Sequence, residues 1–208
     1  MRHAYPLMLD VSNRLVVIVG GGSVAARKAT GLLDAGATRV RVVSLTFCES
    51  MPSGIERVTA RYVPDHLDGA ALVFAATDDE SVNAAVVRDA HQRNLLANRA
   101  DADEQTPGDF TAPAIIRDGE LTITVSTAGS PALAAAIRDR LKSHVQPKWV
   151  KMAQVAQIYR PDLIQRRTPP DVRRAVFRDL ATEEAMNLLD TRGADALAHW
   201  LKDRHPGL

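Results

Sequence analysis

The stretch Arg14-Leu15-Val16-Val17-Ile18-Val19-Gly20-Gly21-Gly22-Ser23-Val24-Ala25 decides the fold. Its first half is an almost uninterrupted β-branched run, which is typical of a strand covered on both faces in a parallel sheet. Its second half is a Gly-x-Gly-x-x-Ala turn, and the residues that follow place Ala25, Ala29 and Leu32 on one helical face. The stretch therefore predicts a strand, a glycine turn and a helix.

The glycine turn predicts a dinucleotide site. Gly20 permits a tight turn, Gly22 leaves space for a pyrophosphate, and Ala25 is small enough for the helix to pack on the strand. The backbone N–H groups of Ser23 and Val24 then lie at the positive end of the helix dipole, which attracts phosphate. The alternative is a structural turn without a ligand, and the complete strand, turn and helix argue against it.

The end of the second predicted strand, Arg39–Val43, supplies further candidates for cofactor contacts. Leu45 and Thr46 follow this strand, and Ser44 or Thr46 could offer a neutral hydroxyl to the ribose. The acidic residue that often binds the ribose about 20 residues after the glycine turn is missing, and so is an arginine for the 2′-phosphate of NADP. The sequence favours NAD without excluding NADP.

A further predicted strand, Ala71–Ala76, leads into Thr77 and Asp78. These two residues fall at the carboxyl edge of the sheet, where open α/β folds bind their ligands, so we predict that both contact the cofactor. The alternative is that one of them only caps the next helix, predicted over Glu80–Arg93.

Strand and helix alternate through the first half of the chain, with two more strands predicted at Val58–Val63 and Leu95–Ala97. This alternation predicts an α/β fold with a Rossmann-type, doubly wound parallel sheet, because parallel strands need crossover connections. We expect this NAD-binding Rossmann domain to span residues 1–111.

A different pattern follows the Rossmann domain. Ala112–Ile116 and Glu120–Ser126 predict a hairpin, and Ser130-Pro131 opens a helix that reaches about Lys142. The remainder, punctuated by proline and glycine, is predicted to be helical. We therefore expect a small α+β dimerisation segment over 112–146 and a helical C-terminal domain over 147–208.

Composition limits the classes of function. The 208 residues include 26 Lys and Arg against 25 Asp and Glu, so no overall basic field predicts binding to nucleic acid or to a membrane surface. The single Cys48 excludes an internal disulfide and fits a reducing cytoplasm. No signal pattern or long apolar stretch is present, so we expect a soluble cytoplasmic protein. The six histidines lack ligand spacing, and no permanent metal site is predicted.

Several motifs together resemble the siroheme synthase family, in particular its precorrin-2 dehydrogenases. They occur in the family's order and spacing over about residues 5–145. The motifs are Gly20-Gly21-Gly22-Ser23-Val24-Ala25-Ala26-Arg27-Lys28, Ala76-Thr77-Asp78-Asp79 with Val82-Asn83, Asn98-Arg99-Ala100-Asp101, Asp109-Phe110 with Pro113-Ala114, and Ser126-Thr127-Ala128-Gly129-Ser130-Pro131-Ala132.

The resemblance implies an NAD-dependent oxidation of precorrin-2 to sirohydrochlorin, and bifunctional members of the family then insert Fe²⁺ as ferrochelatases. It also implies an intertwined homodimer, a tetrapyrrole substrate and Asp101 as the catalytic aspartate. From the residues alone, Asp101 follows a strand at the ligand-bearing edge, where a carboxylate could accept a proton. The alternative is that Asp101 is one of several loop carboxylates, with Asp103, Glu104 and Asp109.

The sequence departs from the common family pattern directly after Asp101. Many relatives have proline two residues further on, whereas Ala102-Asp103-Glu104-Gln105 precedes Pro107 in this chain. The departure weakens the expectation of ferrochelatase activity more than that of dehydrogenase activity. A module that senses NAD without turnover stays open as an alternative function.

A polycarboxylate substrate needs cationic partners, and the chain offers two groups of basic residues after Pro131. For each of them, a solvated helix face is the alternative to ligand contact. The candidates are Arg138, Arg140, Lys142, Lys148, Lys151, Arg166, Arg167, Arg173, Arg174 and Arg178.

Overall fold

The computed structural model describes residues 5–101, 108–127 and 129–208. The chain divides into two units, Met1–Ala112 and Pro113–Leu208. The boundary between these two units falls one residue after the predicted end of the Rossmann domain. Division of the second unit into a dimerisation segment and a helical domain stays a prediction.

The first unit is built on a five-stranded parallel sheet. Its strands are β1 (Leu15–Val19), β2 (Arg39–Ser44), β3 (Glu56–Thr59), β4 (Ala70–Ala75) and β5 (Leu96–Arg99), and its helices are α1 (Ser23–Asp34) and α2 (Glu80–Gln92), with a short 3-10 helix over Pro64–Leu67. The strand order is β3-β2-β1-β4-β5. The order reverses at β1, so the crevice at the carboxyl ends of β1 and β4 is where such sheets bind ligands. The predicted doubly wound Rossmann fold is confirmed.

Both faces of β1 are buried, as the β-branched run predicts. Val16 and Ile18 pack on the face covered by α1, and Val17 and Val19 pack on the face covered by α2. All four side chains are at most 2% exposed. Burial of each contributes about 1.5–3 kcal/mol, so β1 is the strand around which the sheet is organised.

Two strands of the first unit differ from their predicted positions by more than one residue, and in the second unit β6 (Ala114–Asp118) lies two residues later than predicted. β3 is predicted at Val58–Val63 but ends at Thr59, because it is an edge strand whose residues are mostly exposed. β5 is predicted at Leu95–Ala97 but extends through Arg99, with Asn98 and Arg99 both buried. Polar residues inside a strand do not follow the apolar pattern, because their burial depends on partners that are distant in sequence.

The outer edge of β5 is covered by residues 108–110. The backbone N–H of Asp109 donates to the Ala97 carbonyl at 2.7 Å, and the Asp109 carboxylate accepts from the Ala97 N–H at 2.8 Å. Asn98 donates from Nδ2 to the Phe110 carbonyl at 2.7 Å. Gly108 is required here, since a Cβ on it would lie 2.6 Å from the Arg99 nitrogen.

In its described residues, 113–127 and 129–208, the second unit combines a hairpin with four helices. The predicted hairpin is confirmed as antiparallel strands joined at Gly119, and the C-terminal part is helical as predicted. Leu163, Val176 and Leu197 belong to its core. The elements are β6 (Ala114–Asp118), β7 (Leu121–Val125), α3 (Pro131–Lys142), α4 (Pro147–Gln165), α5 (Pro170–Leu180) and α6 (Glu183–Arg204).

In the part of the chain that the structure describes, no helix has the length and apolar character needed to cross a membrane.

Candidate active site

The glycine turn lies between the ends of β2 and β4. The Gly20 N–H donates to the Val43 carbonyl at 2.9 Å, and Gly20 adopts a φ of +129°. A Cβ at this position would lie 2.2 Å from the Ala76 carbonyl oxygen. Glycine is therefore required at position 20 both by the backbone conformation and by the close approach of the chain after β4.

Glycine is also required at position 21, for a packing reason that the sequence pattern did not reveal. A Cβ on Gly21 would lie 1.8 Å from the Thr46 carbonyl oxygen and 2.6 Å from the Ser44 hydroxyl oxygen. The Gly21 carbonyl also accepts from the Cys48 N–H at 2.8 Å. Gly21 thus fits the turn against the chain after β2, and three glycines in succession were the signal for it.

Gly22, in contrast, has free space beside it. It caps α1 with a φ of −83°, and an added Cβ would meet no atom within 4 Å. The first turn of α1 contains no acidic residue, and no side chain caps the helix. Among the described residues, none accepts a hydrogen bond from the N–H groups of Ser23, Val24 or Ala25. The free space and the unpaired donors at the positive end of α1 fit a pyrophosphate.

The other residues of the predicted cofactor site flank this turn at the same edge of the sheet. Leu45 is 57% exposed, and Thr46 is exposed with its carbonyl against Gly21. Both follow the carboxyl end of β2. Contact with a ligand stays a prediction for each of them.

Lys28, which belongs to the longer glycine motif, packs inward. Its Nζ lies 5.4 Å from the centre of the Phe74 ring, in a cation–π arrangement. Burial and the neighbouring Arg27 charge lower the pKa of the Lys28 ammonium. The motif lysine therefore contributes to packing between α1 and β4.

In the loop after β4, the residue that caps α2 is neither of the two that the sequence offered as alternatives. Asp79, rather than Thr77 or Asp78, caps α2, and its carboxylate accepts from the N–H groups of Ser81 at 2.8 Å and Val82 at 3.2 Å. Hydrogen bonds from Ser81 and Val82 lower the pKa of Asp79. Asp78 is exposed and available for the predicted cofactor contact.

Thr77 is held by Asn83 of α2. The Thr77 N–H donates to Asn83 Oδ1 at 3.0 Å, and the Thr77 hydroxyl lies 2.8 Å from the same oxygen. The hydroxyl also accepts from the Asp79 N–H at 3.2 Å. These contacts fix the loop directly beside the glycine turn, because Ala76 immediately precedes Thr77.

Asp101 lies just beyond the carboxyl end of β5 and is bound by two buried side chains. Arg99 donates from Nε to Oδ1 at 2.6 Å and from Nη2 to Oδ2 at 3.0 Å. Asn83 donates from Nδ2 to Oδ2 at 3.1 Å. The Arg99 hydrogen bonds, with a contribution from Asn83, hold the pKa of Asp101 below its ordinary value of 3.8. At neutral pH the carboxylate is an oriented anion.

Asn83 and Arg99 are residues of the site that the sequence analysis did not assign. Asn83 is fully buried, and the Arg99 side chain is 1% exposed. The signal for both was a polar residue within an otherwise apolar helix face or strand. Without knowledge of the partner, that signal does not separate a site residue from an exposed one.

The second unit carries the basic residues predicted as substrate contacts, and several already have partners. Lys148 binds Glu183, Lys151 binds Asp190, Arg166 binds Asp162, and Arg138 binds Asp139. Arg140 and Lys142 are exposed at the end of α3. Arg167, Arg174 and Arg178 are exposed as well, and contact with a carboxylate ligand stays a prediction for all five.

Residues 102–107, where the sequence departs from the family pattern, lie outside the described residues, as does Ala128 of the last motif. Over residues 5–101, 108–127 and 129–208, no group of three or more His, Cys, Asp or Glu side chains could hold a metal ion. The lack of a permanent metal site stays a prediction.

The strand order, the glycine turn at the reversal point and the open N-terminus of α1 define a dinucleotide-binding domain of the Rossmann class. The chain belongs to the family described as putative NAD(P)-binding, whose model matches residues 7–114. The predicted cofactor is confirmed to that extent.

Curated relatives and a solved structure agree with this assignment. The chain is 36% identical to the siroheme synthase of Photorhabdus laumondii over 88% of its own length and 38% of the relative's. It is 38% identical to the siroheme synthase of Chromobacterium violaceum over 82% of its own length and 37% of the relative's. The chain thus spans about two fifths of these relatives, and the resemblance to siroheme synthases is confirmed.

The structure described as "SirC, precorrin-2 dehydrogenase" has the same fold. It superposes with a TM-score of 0.76 over 96% of this chain and 100% of that chain, at 22% sequence identity. The likeness therefore extends through both units of the chain.

Proposed function

We propose that the chain catalyses the NAD-dependent oxidation of precorrin-2 to sirohydrochlorin, a step of siroheme biosynthesis. Similarity to siroheme synthases over most of the chain supports the pathway, and the solved structure with the same fold is described as a precorrin-2 dehydrogenase. Membership of the NAD(P)-binding family supports a dinucleotide as oxidant.

One observation carries the proposal: a continuous series of contacts joins the glycine turn to Asp101. Gly20 lies against the Ala76 carbonyl, Thr77 is bound by Asn83, and Asn83 binds Asp101. The cofactor loop and the anionic carboxylate therefore share one edge of the sheet. A tetrapyrrole bound at this edge would lie close to a fixed negative charge.

The chemistry supplied by the cofactor is acceptance of a hydride from the tetrapyrrole ring. Loss of that hydride leaves positive charge on the ring, and a proton is then released, so the products are sirohydrochlorin, NADH and H⁺. The Asp101 carboxylate stabilises the developing charge because it is already ionised and oriented by Arg99. Its low pKa makes it a weak base, so its role is electrostatic and the departing proton is released to solvent.

NAD is proposed over NADP, because the residues after β2 are neutral. Leu45 and Thr46 provide no cation for a 2′-phosphate, and Ser44 or Thr46 could bind a ribose hydroxyl. A comparison of kcat/KM for the two dinucleotides tests this preference, and equal values would contradict it.

The proposal is limited to oxidation, and insertion of Fe²⁺ is not included. Three donors already occupy the Asp101 carboxylate, which has about four acceptor positions. Few lone pairs are left to take protons from the pyrrole nitrogens during metal insertion. We expect Fe²⁺ added after the oxidation to be incorporated no faster with the protein than without it.

The proposal also includes a homodimer in the cytoplasm, with precorrin-2 as the tetrapyrrole ligand. The apolar side chains exposed on α3, Leu133 and Ile137, support self-association. The exposed Arg140 and Lys142 on the same helix would suit the substrate carboxylates.

The deciding experiment is anaerobic incubation with precorrin-2 and NAD, in which NADH and the sirohydrochlorin chromophore are measured together. The native chain should turn over, and Asp101→Asn should reduce kcat by about 100-fold while NAD affinity stays within about twofold. Tight NAD binding without turnover in the native chain would refute the proposal and favour the NAD-sensing alternative.

A further inference from the structure

Asn83 is the only fully buried polar residue on α2 within the described part of the chain. It lies in the first turn of α2, and its side chain is 0% exposed. A buried amide without partners would destabilise the fold, so the position of each of its atoms is informative.

Both atoms of the Asn83 amide are occupied. Oδ1 accepts from the Thr77 N–H at 3.0 Å, and Nδ2 donates to the Thr77 carbonyl at 3.1 Å and to Asp101 Oδ2 at 3.1 Å. The Thr77 N–H is always a donor, so the oxygen must face it. The amide orientation is therefore unambiguous, and the NH₂ group must face the Asp101 carboxylate.

From this geometry, and resting on the proposed function, we infer that Asn83 is a positioning residue that fixes the Asp101 carboxylate for the oxidation and joins it to the loop beside the glycine turn. Arg99 holds the same carboxylate from β5, so Asp101 is restrained from two elements. No contact of Asn83 with substrate or cofactor is required for this role.

The chemical identity of the side chain at position 83 is what the role depends on. An amide presents an acceptor to Thr77 and a donor to Asp101 without adding charge to a buried site. The isosteric Asn83→Asp would keep the acceptor but turn a second anionic oxygen toward Asp101. Like charges in contact raise the pKa of one carboxyl group, and Arg99 is the charged partner that faces the pair.

The test combines titration with kinetics. The titration of the Asp101 carboxyl carbon is followed by ¹³C NMR in the native chain and in Asn83→Asp, with Asp101→Asn used to assign the resonance. We expect the Asp101 pKa to rise by about one unit or more in Asn83→Asp. The acid limb of kcat for precorrin-2 oxidation should move in the same direction, and kcat at neutral pH should fall about tenfold.

Two further variants make the test specific. Asn83→Ser removes the amide donor without adding charge, so it should raise the Asp101 pKa by less and lower kcat in the same direction, even if Asn83→Asp does not fold. Asp89→Asn is the matched control, because it exchanges acid for amide on the same helix at a residue that binds Tyr62. It should leave the Asp101 titration and the pH profile of kcat unchanged.

The outcomes separate this inference from the proposed function. If the native chain oxidises precorrin-2 but both variants at position 83 leave the Asp101 titration and the acid limb of kcat unchanged, the positioning role is refuted alone. If the native chain binds NAD and does not oxidise precorrin-2, the proposed function is refuted, and with it the catalytic meaning of the contact.

Discussion

The guanidinium of Arg99 and the carboxylate of Asp101 form a two-point contact, with Nε to Oδ1 at 2.6 Å and Nη2 to Oδ2 at 3.0 Å. Arg99 also donates from Nη2 to the Glu80 carbonyl at 3.1 Å. One buried side chain of β5 therefore joins the predicted catalytic carboxylate to the start of α2. Changes at this contact should affect both the charge of the site and the rigidity of the sheet edge.

Acid should loosen the sheet edge around Asp101. The folded-state pKa of Asp101 is lowered, so its contribution to stability is present above the ordinary pKa of 3.8 and is lost as pH falls through the folded value. Asp101→Asn should reduce hydrogen-exchange protection of β5 amides about tenfold at pH 7 and remove this acid sensitivity. Peptides of α6 serve as the internal reference. Equal pH dependence of β5 protection in both proteins would contradict the expectation.

Alanine substitutions at Gly20 and at Gly22 should separate an effect on stability from an effect on cofactor binding. In Gly20→Ala, the added Cβ meets the Ala76 carbonyl and the backbone is held at a φ of +129°, so stability should fall by about 2–3 kcal/mol or more. In Gly22→Ala, the added Cβ enters open space, so stability should change by less than about 0.5 kcal/mol.

The cofactor response of the two glycine variants completes this test. Gly22→Ala should still weaken NAD binding by about tenfold or more, because its Cβ occupies the space predicted for the pyrophosphate. Urea denaturation and calorimetric titration with NAD measure the two effects. Unchanged NAD affinity in a folded Gly22→Ala protein would argue against this turn as the cofactor site.

Asp79 and Asp78 should behave differently although they are adjacent. Asp79→Ala removes the cap of α2 and should lower the melting temperature by about 2–4 °C at pH 7. Because hydrogen bonds from Ser81 and Val82 lower the Asp79 pKa, that difference should shrink below pH 3.8. Asp78→Ala should leave the melting temperature unchanged and weaken NAD binding. Scanning calorimetry at two pH values measures the melting temperatures of both variants, and calorimetric titration measures their NAD binding.

Self-association should depend on the apolar side chains exposed on α3. Leu133 is 51% exposed, and Ile137 lies one turn further along the same helix. Leu133→Glu should convert the expected dimer into a monomer at micromolar concentration, as measured by light scattering. Val63→Glu, at an exposed apolar residue of the first unit, is the control and should leave the mass unchanged. A monomeric native chain would refute the dimer.

The parts of the fold that were predictable from sequence are those in which local pattern and burial agree. The β-branched run before Gly20 specifies β1, and Pro131 begins α3 as predicted. β5 was placed too early because Asn98 and Arg99 are polar yet buried. Their burial depends on Phe110 and Asp101, which no helical or strand period reveals.

The residues of the candidate site were likewise predictable only where a local motif specifies them. Gly20 was predictable because a motif fixes its place between a strand and a helix. Gly21 was missed because its neighbour, the Thr46 carbonyl, comes from the following strand end. Capping of α2 by Thr77 or Asp78 is the alternative that the sequence leaves open, and Asp79 provides the cap, since a turn rich in polar residues offers several equivalent caps. Thr77 is bound by Asn83 instead.

The return of residues 108–110 along β5 has a consequence for the behaviour of the chain at high concentration. An open strand edge is a template on which a second molecule can add a strand and begin aggregation. Asp109 occupies both the N–H and the carbonyl of Ala97, so this margin of the sheet presents no free ladder at that point. At the opposite margin, Glu56 and Arg57 of β3 place exposed charges. Covered backbone at one margin and exposed charges at the other therefore both disfavour intermolecular strand pairing with this sheet.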